Sequence, residues 1–211
     1  MKIINVAELG GLEALMEVIP ENVIRETIER SFGNPPVSNY FQDYFNPAFI
    51  VTISDGNGGY KGIGIVEAMT SYPLTTSQGT VDVDISDDPV FYLDKFGVKP
   101  EFRGTATAQE LFHGIVTATD GEFAFRTRPE NDRANKFYSG LVFKRAGYVW
   151  VPDEERCTLP KQNSAKLDFV LSEHGGQQWL QYATKQLYHS DKFWNVVPVI
   201  AARAATIDKA A

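Results

Sequence analysis

The chain of 211 residues carries 27 Asp and Glu against 20 Lys and Arg, for a net charge of −7 and an isoelectric point near 5.0. That balance lacks the basic footprint of a nucleic-acid binder and the polybasic attraction to an anionic membrane, although a local pocket can differ from the whole surface. With 43% hydrophobic and 12% aromatic residues it can fill a core, and its one cysteine, Cys157, excludes an internal disulfide and argues against a thiolate zinc site.

The opening "MKIINVAELGGLEAL" lacks the charged, apolar and cleavage regions of a secretory leader. No apolar run nears the roughly 20 residues that span a bilayer. A cytoplasmic protein with no membrane partner is the expectation. Lys2 to Val6 reads as a strand. Leu12, Leu15, Met16 and Ile19 recur at helical spacing, and a second helix after Pro20 places Val23, Ile24, Ile28 and Phe32 on one face. Gly33, Pro35 and Pro36 stop it. Phe49–Ile53 and Tyr60–Ala68 flank a Gly/Asn/Asp turn and read as a hairpin. Gly62 and Gly64 leave one strand face bare, a place for another backbone or a ligand.

Residues 70–80 read as loop, Val81 to Ile85 as a short strand and Val90 to Val98 as a longer one. A loop of small residues leads into a helix from about Thr105 to Thr119, with Ala108, Leu111, Phe112, Ile115 and Val116 inward. Phe123–Arg128 is a strand, Asn131–Gly140 a helix, and Phe143–Val151 and Leu167–Leu171 are strands around a polar loop at 152–164. After Gly175–Gly176, Trp179, Leu180, Ala183 and Leu187 mark a helix whose stripe suits core or a subunit contact, so a homodimer is compatible. The order predicts an α+β fold, a mostly antiparallel central sheet flanked by helices, over 1–172, and a helical extension over 173–211.

The loop "FRGTATA" raises two readings. One is an ordinary tight turn. The other is a phosphate cradle, because a helix N-terminus has unpaired amides and a partial positive charge that small side chains leave accessible. Arg103 would supply charge, and Gly104, Thr105, Ala106, Thr107 and Ala108 would supply access. About twenty-five residues later comes "FRTRPENDRANKFYSGLVFKRAG".

This pair of motifs resembles the GCN5-related N-acetyltransferase superfamily. More narrowly, "YLDKF" at 92–96, "FRTR" at 125–128, Asn131 and "NKFY" at 135–138 resemble the acetyltransferase domain of vertebrate-type N-acetylglutamate synthases, over about residues 90–147. The resemblance implies an acetyl-CoA-dependent enzyme acting on a small-molecule amine; 211 residues leave no room for an amino-acid kinase domain, so a free-standing acetyltransferase domain is the expectation. It implies that the loop and the Asn135 helix hold the cofactor, and that backbone amides of Phe96, Gly97 and Val98 polarise its carbonyl. Asn131 would orient substrate, or simply cap the following helix. Tyr138 is the candidate acid for the leaving thiolate, since a phenol near 10 lies just above a thiol near 8.5; the alternative is a core tyrosine. Residues 126 and 128 share a strand face, so two guanidinium forks can clamp a carboxylate, or else pair with Glu122 and Glu130. The resemblance gives Lys95, Arg126 and Arg128 the acceptor's carboxylate, with glutamate as first guess.

Two departures matter. The superfamily loop usually places glycine where Ala106 stands and glycine or alanine at Ala108. Alanine costs about 1–2 kcal/mol at either site if φ must be positive. Asn131 and Tyr138 are also one residue further apart than in the synthases. These departures favour a rival, an acetyltransferase fold kept as a binding module with the apolar 193–200 as contact surface. No residue stands out as a strong base; Glu67 and Asp94 are candidates, as is a chain of water. His113, His174 and His189 read as structural or exposed, and no spacing suggests a metal.

Overall fold

The computed structural model describes residues 1–76, 79–127, 131–138, 149–150 and 180–184. It divides into one unit of residues 1–68 and 91–120 and a second of residues 69–90 and 121–211.

In the first unit, β1 (Lys2–Asn5) is followed by α1 (Val6–Leu9), α2 (Leu12–Val18) and α3 (Glu21–Phe32). Val6 belongs to a helix rather than the strand, because Asn5 caps it: its Oδ1 accepts from the amides of Ala7 at 3.1 Å and Glu8 at 3.3 Å. A π-helical turn at Tyr40–Tyr44 leads into β2 (Pro47–Ser54), and a turn at 55–59 into β3 (Tyr60–Met69), which form the expected hairpin. The long strand β6 (Val90–Val98) ends in a 3-10 turn at Pro100–Phe102, and α4 (Thr107–Ala118) follows.

The sheet of this unit runs β1-β2-β3-β6, with β1–β2 and β2–β3 antiparallel. The Lys99 amide bonds the Lys61 carbonyl at 2.9 Å, while Glu67 lies within the field of Asp94, so β6 runs opposite to β3. One face carries the cluster of Leu15, Ile19, Ile24, Ile28, Ile50, Ile63 and Ile65. Each such aliphatic side chain stabilises the fold by about 1.5–3 kcal/mol when fully buried. The other face takes α4. A Cβ on Gly64 would stand 2.7 Å from Ile115 Cδ1, and one on Gly62 would stand 2.6 Å from the Gly97 carbonyl. The bare strand face therefore admits a helix and a neighbouring strand.

The buried stripe of α3 is Ile24, Thr27, Ile28 and Ser31, and Phe32 is 47% exposed. Ser31 replaces the expected apolar residue because its Cβ lies 2.6 Å from where a Gly97 side chain would begin, a gap with no room for more.

In the second unit, β4 (Ser71–Thr76) and β5 (Gly79–Asp84) form a hairpin where the sequence reading had loop over 70–80. Pairing overrides the turn-rich composition there. β7 (Phe123–Thr127) precedes α5 (Asp132–Lys136), and β8 (Val149–Trp150) and β9 (Leu180–Thr184) complete an antiparallel set in the order β7-β9-β8. The helix expected across Leu180 and Ala183 is a strand, registered from Ala124↔Ala183 to Thr127↔Leu180. Five residues of mixed polarity satisfy both periods, and the partner strand decides. The fold is α+β, a mixed sheet of mostly antiparallel strands with flanking helices, as the sequence predicts. The strand at 167–171, the loop at 152–164, Cys157, His174, Trp179, Leu187, His189 and the tail lie outside the described residues.

Candidate functional site

The turn into α4 answers the question its alanines raised. Ala106 has φ −66° and ψ −11°, a right-handed conformation, and Ala108 lies inside the helix. The left-handed position is Gly104, at φ +79°, where an added Cβ would meet nothing within 4 Å. The need for glycine there is conformational rather than steric.

No side chain caps α4 at Ala106, and the first helical bond runs from the Glu110 amide to the Ala106 carbonyl at 3.0 Å. The Ala108 and Gln109 amides therefore have no partner within the helix. The Thr107 amide donates to Thr105 Oγ1 at 3.2 Å, and the Thr105 hydroxyl donates to the Phe102 carbonyl at 2.6 Å. Gly104, Thr105 and Ala106 are exposed, so no packed side chains seal the turn. Arg103 does other work: Nε donates to the Val98 carbonyl at 2.9 Å and Nη2 to the Ser31 carbonyl at 2.6 Å. Just upstream, Phe96 packs edge-on against Phe112 with centroids 5.7 Å apart, while Gly97 and Val98 are buried.

A second cluster gathers around the middle of β6. Lys95 Nζ lies 2.7 and 2.8 Å from the two carboxylate oxygens of Asp94 and 4.9 Å above the Tyr40 ring. The Tyr40 hydroxyl donates to Asp94 Oδ2 at 2.8 Å. Burial, then the charge and hydrogen bond of Asp94, push the Tyr40 phenol up, so it stays a donor. Glu67, half-buried on β3, is pushed up to about 7, first by burial and then by the Asp94 charge, with Lys95 opposing. A carboxyl that titrates near neutrality can take a proton from an amine. Asp94 turns toward Tyr40 whereas Phe96, two residues on, turns to α4, so simple alternation along β6 breaks around Lys95.

In the second unit, Asn131 caps α5, its Oδ1 accepting from the Ala134 amide at 3.2 Å. Tyr138 is 5% exposed, with its ring 4.6 Å from Phe125 and 5.4 Å from Phe137. Asn135 lies in α5, and Arg126 lies on β7 opposite Gln181. Arg128 is outside the described residues. The structure thus brings together Lys95, Asp94 and Glu67, and separately the residues from 96 to 108. His113 is exposed on α4. Among the described residues no group of His, Cys, Asp and Glu is arranged to hold a metal, and no helix is long and apolar enough to cross a membrane.

Sequence reasoning missed Tyr40 and Lys99. Tyr40 lies in the aromatic run "YFQDYF", which signals packing but not a hydrogen bond to Asp94. Lys99 is 2% exposed, which a lysine beside proline does not announce.

No family model and no curated protein matches the chain. Among solved structures, the chain is similar to AAC(6')-Iy bound to a CoA-S-monomethyl-acetylneamine bisubstrate analogue. The identity is 17%, over 66% of this chain and 86% of that one, with a TM-score of 0.42. It is similar to the ribosomal-protein-S18-alanine N-acetyltransferase of Escherichia coli at 10% identity, over 86% and 91%, with a TM-score of 0.43. It is also similar to Arabidopsis thaliana NAA60 in complex with acetyl-CoA, at 19% identity over 65% and 81%, with a TM-score of 0.36. The narrower resemblance to N-acetylglutamate synthases gains no support from these structures.

Proposed function

We propose that the chain is an acetyl-CoA-dependent N-acetyltransferase with the GCN5-related fold, acting on a small amine that carries a carboxylate. The observation that carries this reading is the entry to α4. It is exposed, with the Ala108 and Gln109 amides unpaired within the helix, and free of backbone strain at both alanines, with glycine at the left-handed position. Such a turn fits a diphosphate, since its amides and the helix dipole favour an anion. With both alanines right-handed, their amides stay available to an anion, which weighs against the binding module.

Acetyl-CoA would supply an activated acetyl thioester. The chain's own groups would do the rest. Phe96, Gly97 and Val98 would present backbone amides along the arm, and Gly104 to Ala108 would hold the diphosphate. Glu67 would accept the proton that the acceptor ammonium must lose, with Asp94 and Tyr40 fixing the local charge. Tyr138 remains the candidate donor to the leaving thiolate, and Asn131 and Asn135 line the same motif. Lys95 is neutralised by Asp94, so the acceptor carboxylate falls to Arg126 and Arg128, with glutamate as first guess.

The test is a thiol-release screen of acetyl-CoA against free amino acids, amino sugars and peptide N-termini. Turnover with an acidic amino acid supports the reading. Turnover confined to uncharged or cationic amines would overturn the acceptor class, and no turnover with any amine would overturn the enzyme.

A further inference from the structure

Lys99 is among the largest fully buried side chains described, at 2% exposure, and it sits between β6 and the α4 turn. Its ammonium bonds Glu26 Oε1 at 3.2 Å, and Glu26 is itself 55% exposed. Burying a charge is costly unless it is paired, and a solvated partner compensates only in part. If filling space were the whole requirement, methionine would serve at lower cost.

The surrounding contacts show what the charge holds. The Lys99 amide bonds the Lys61 carbonyl at 2.9 Å, which pins the backbone to β3. Arg30 on α3 bridges Glu26 and Glu101, and Arg103 donates to the Ser31 carbonyl at 2.6 Å. Alternate residues of the turn, 99, 101 and 103, are thus gripped by α3 at 26, 30 and 31.

We propose that Lys99 is a positioning residue, tying the 99–106 turn to α3 so that the first amides of α4 are preset for a diphosphate. This rests on the acetyltransferase reading. It also changes the part played by Arg103, which fastens the turn from within through two backbone carbonyls. A preset anion site binds more tightly because the turn need not be ordered on binding.

The experiment compares the unaltered chain with Lys99→Met and Glu26→Gln. It reads the Kd for acetyl-CoA by calorimetry, the KM for the acceptor, and hydrogen exchange at residues 104–109 without ligand. Expected are a Kd about tenfold higher for Lys99→Met, as loss of one charge-assisted bond implies, and a rise of about threefold for Glu26→Gln. The turn amides should exchange faster in both, with the acceptor KM within about twofold. Unchanged Kd and exchange in a folded variant would overturn the proposal, as would an equal rise in both constants. Should Lys99→Met fail to fold, Glu26→Gln, altered on the exposed side, decides alone. If the unaltered chain binds no acetyl-CoA, the function reading falls together with this one. If it binds and the variants match it, only the positioning role falls.

Discussion

Glu67 is the residue whose environment changes its chemistry most usefully. Its carboxyl titrates near 7 instead of its ordinary 4.5, so below about 7 it is protonated and cannot accept a proton. The expected kcat/KM therefore climbs with pH through about 7. Glu67→Gln should remove that limb and lower kcat by about 10²–10⁴, the usual contribution of a general base. Asp94→Asn removes a charge that raises Glu67 and releases Lys95, which lowers it, so both effects move the limb to lower pH. Steady-state thiol release from about pH 5.5 to 8.5 reads both variants, and an unmoved limb would take Glu67 out of the reaction. The same shift acts on folding with a defined sign. The Glu67 contribution is full below its unfolded value near 4.5 and is lost as pH rises to about 7. At Gly104, alanine at φ +79° should cost about 1–2 kcal/mol of stability, read by denaturant unfolding, with weaker acetyl-CoA binding.

At the scale of elements, two approaches depend on what is missing from a side chain. A Cβ on Gly97 would stand 2.6 Å from Ser31 Cβ, so Gly97→Ala should push α3 off β6 and cost about 1–3 kcal/mol. Thr52, fully buried on β2, has a hydroxyl with no hydrogen-bond partner among the described residues. Thr52→Val should leave chemical-denaturation stability unchanged or raise it by up to about 1 kcal/mol, because the unpaired hydroxyl is costly where it is. Elements with strong periodicity were legible in the sequence: the β2–β3 hairpin, β6 and α4 stand close to where the residues put them. Others were not, for identifiable reasons. The stripe of α3 moved by a residue because β6 approaches at Gly97, a tertiary fact. β4 is a strand because β5 pairs with it, despite its threonines, serine and proline. β9 was mistaken for helix because Leu180 and Ala183 fit both periods until β7 supplies a partner. The site divides likewise. The glycine and small residues of the α4 turn could be read directly, whereas Lys99, Glu26 and Tyr40 act across gaps of tens of residues that no local pattern records.

For the molecule as a whole, charge and cofactor are at odds. The chain carries −7 and acetyl-CoA is itself an anion, so their long-range interaction is repulsive while the α4 turn is locally attractive. Salt screens the long-range part over about 8 Å at physiological strength. Stopped-flow association with acetyl-CoA should therefore quicken, by a small factor, between about 10 and 150 mM salt; a steep fall would reveal a cationic cluster gathered around the site. That acetyl-CoA seats its diphosphate on the α4 turn is tested directly by following amide ¹H–¹⁵N shifts as acetyl-CoA is added to the full chain. The largest displacements are expected at Gly104–Gln109, with a second set at Phe96–Val98. Saturating shifts that avoid both stretches, or no shifts at millimolar acetyl-CoA, would contradict it.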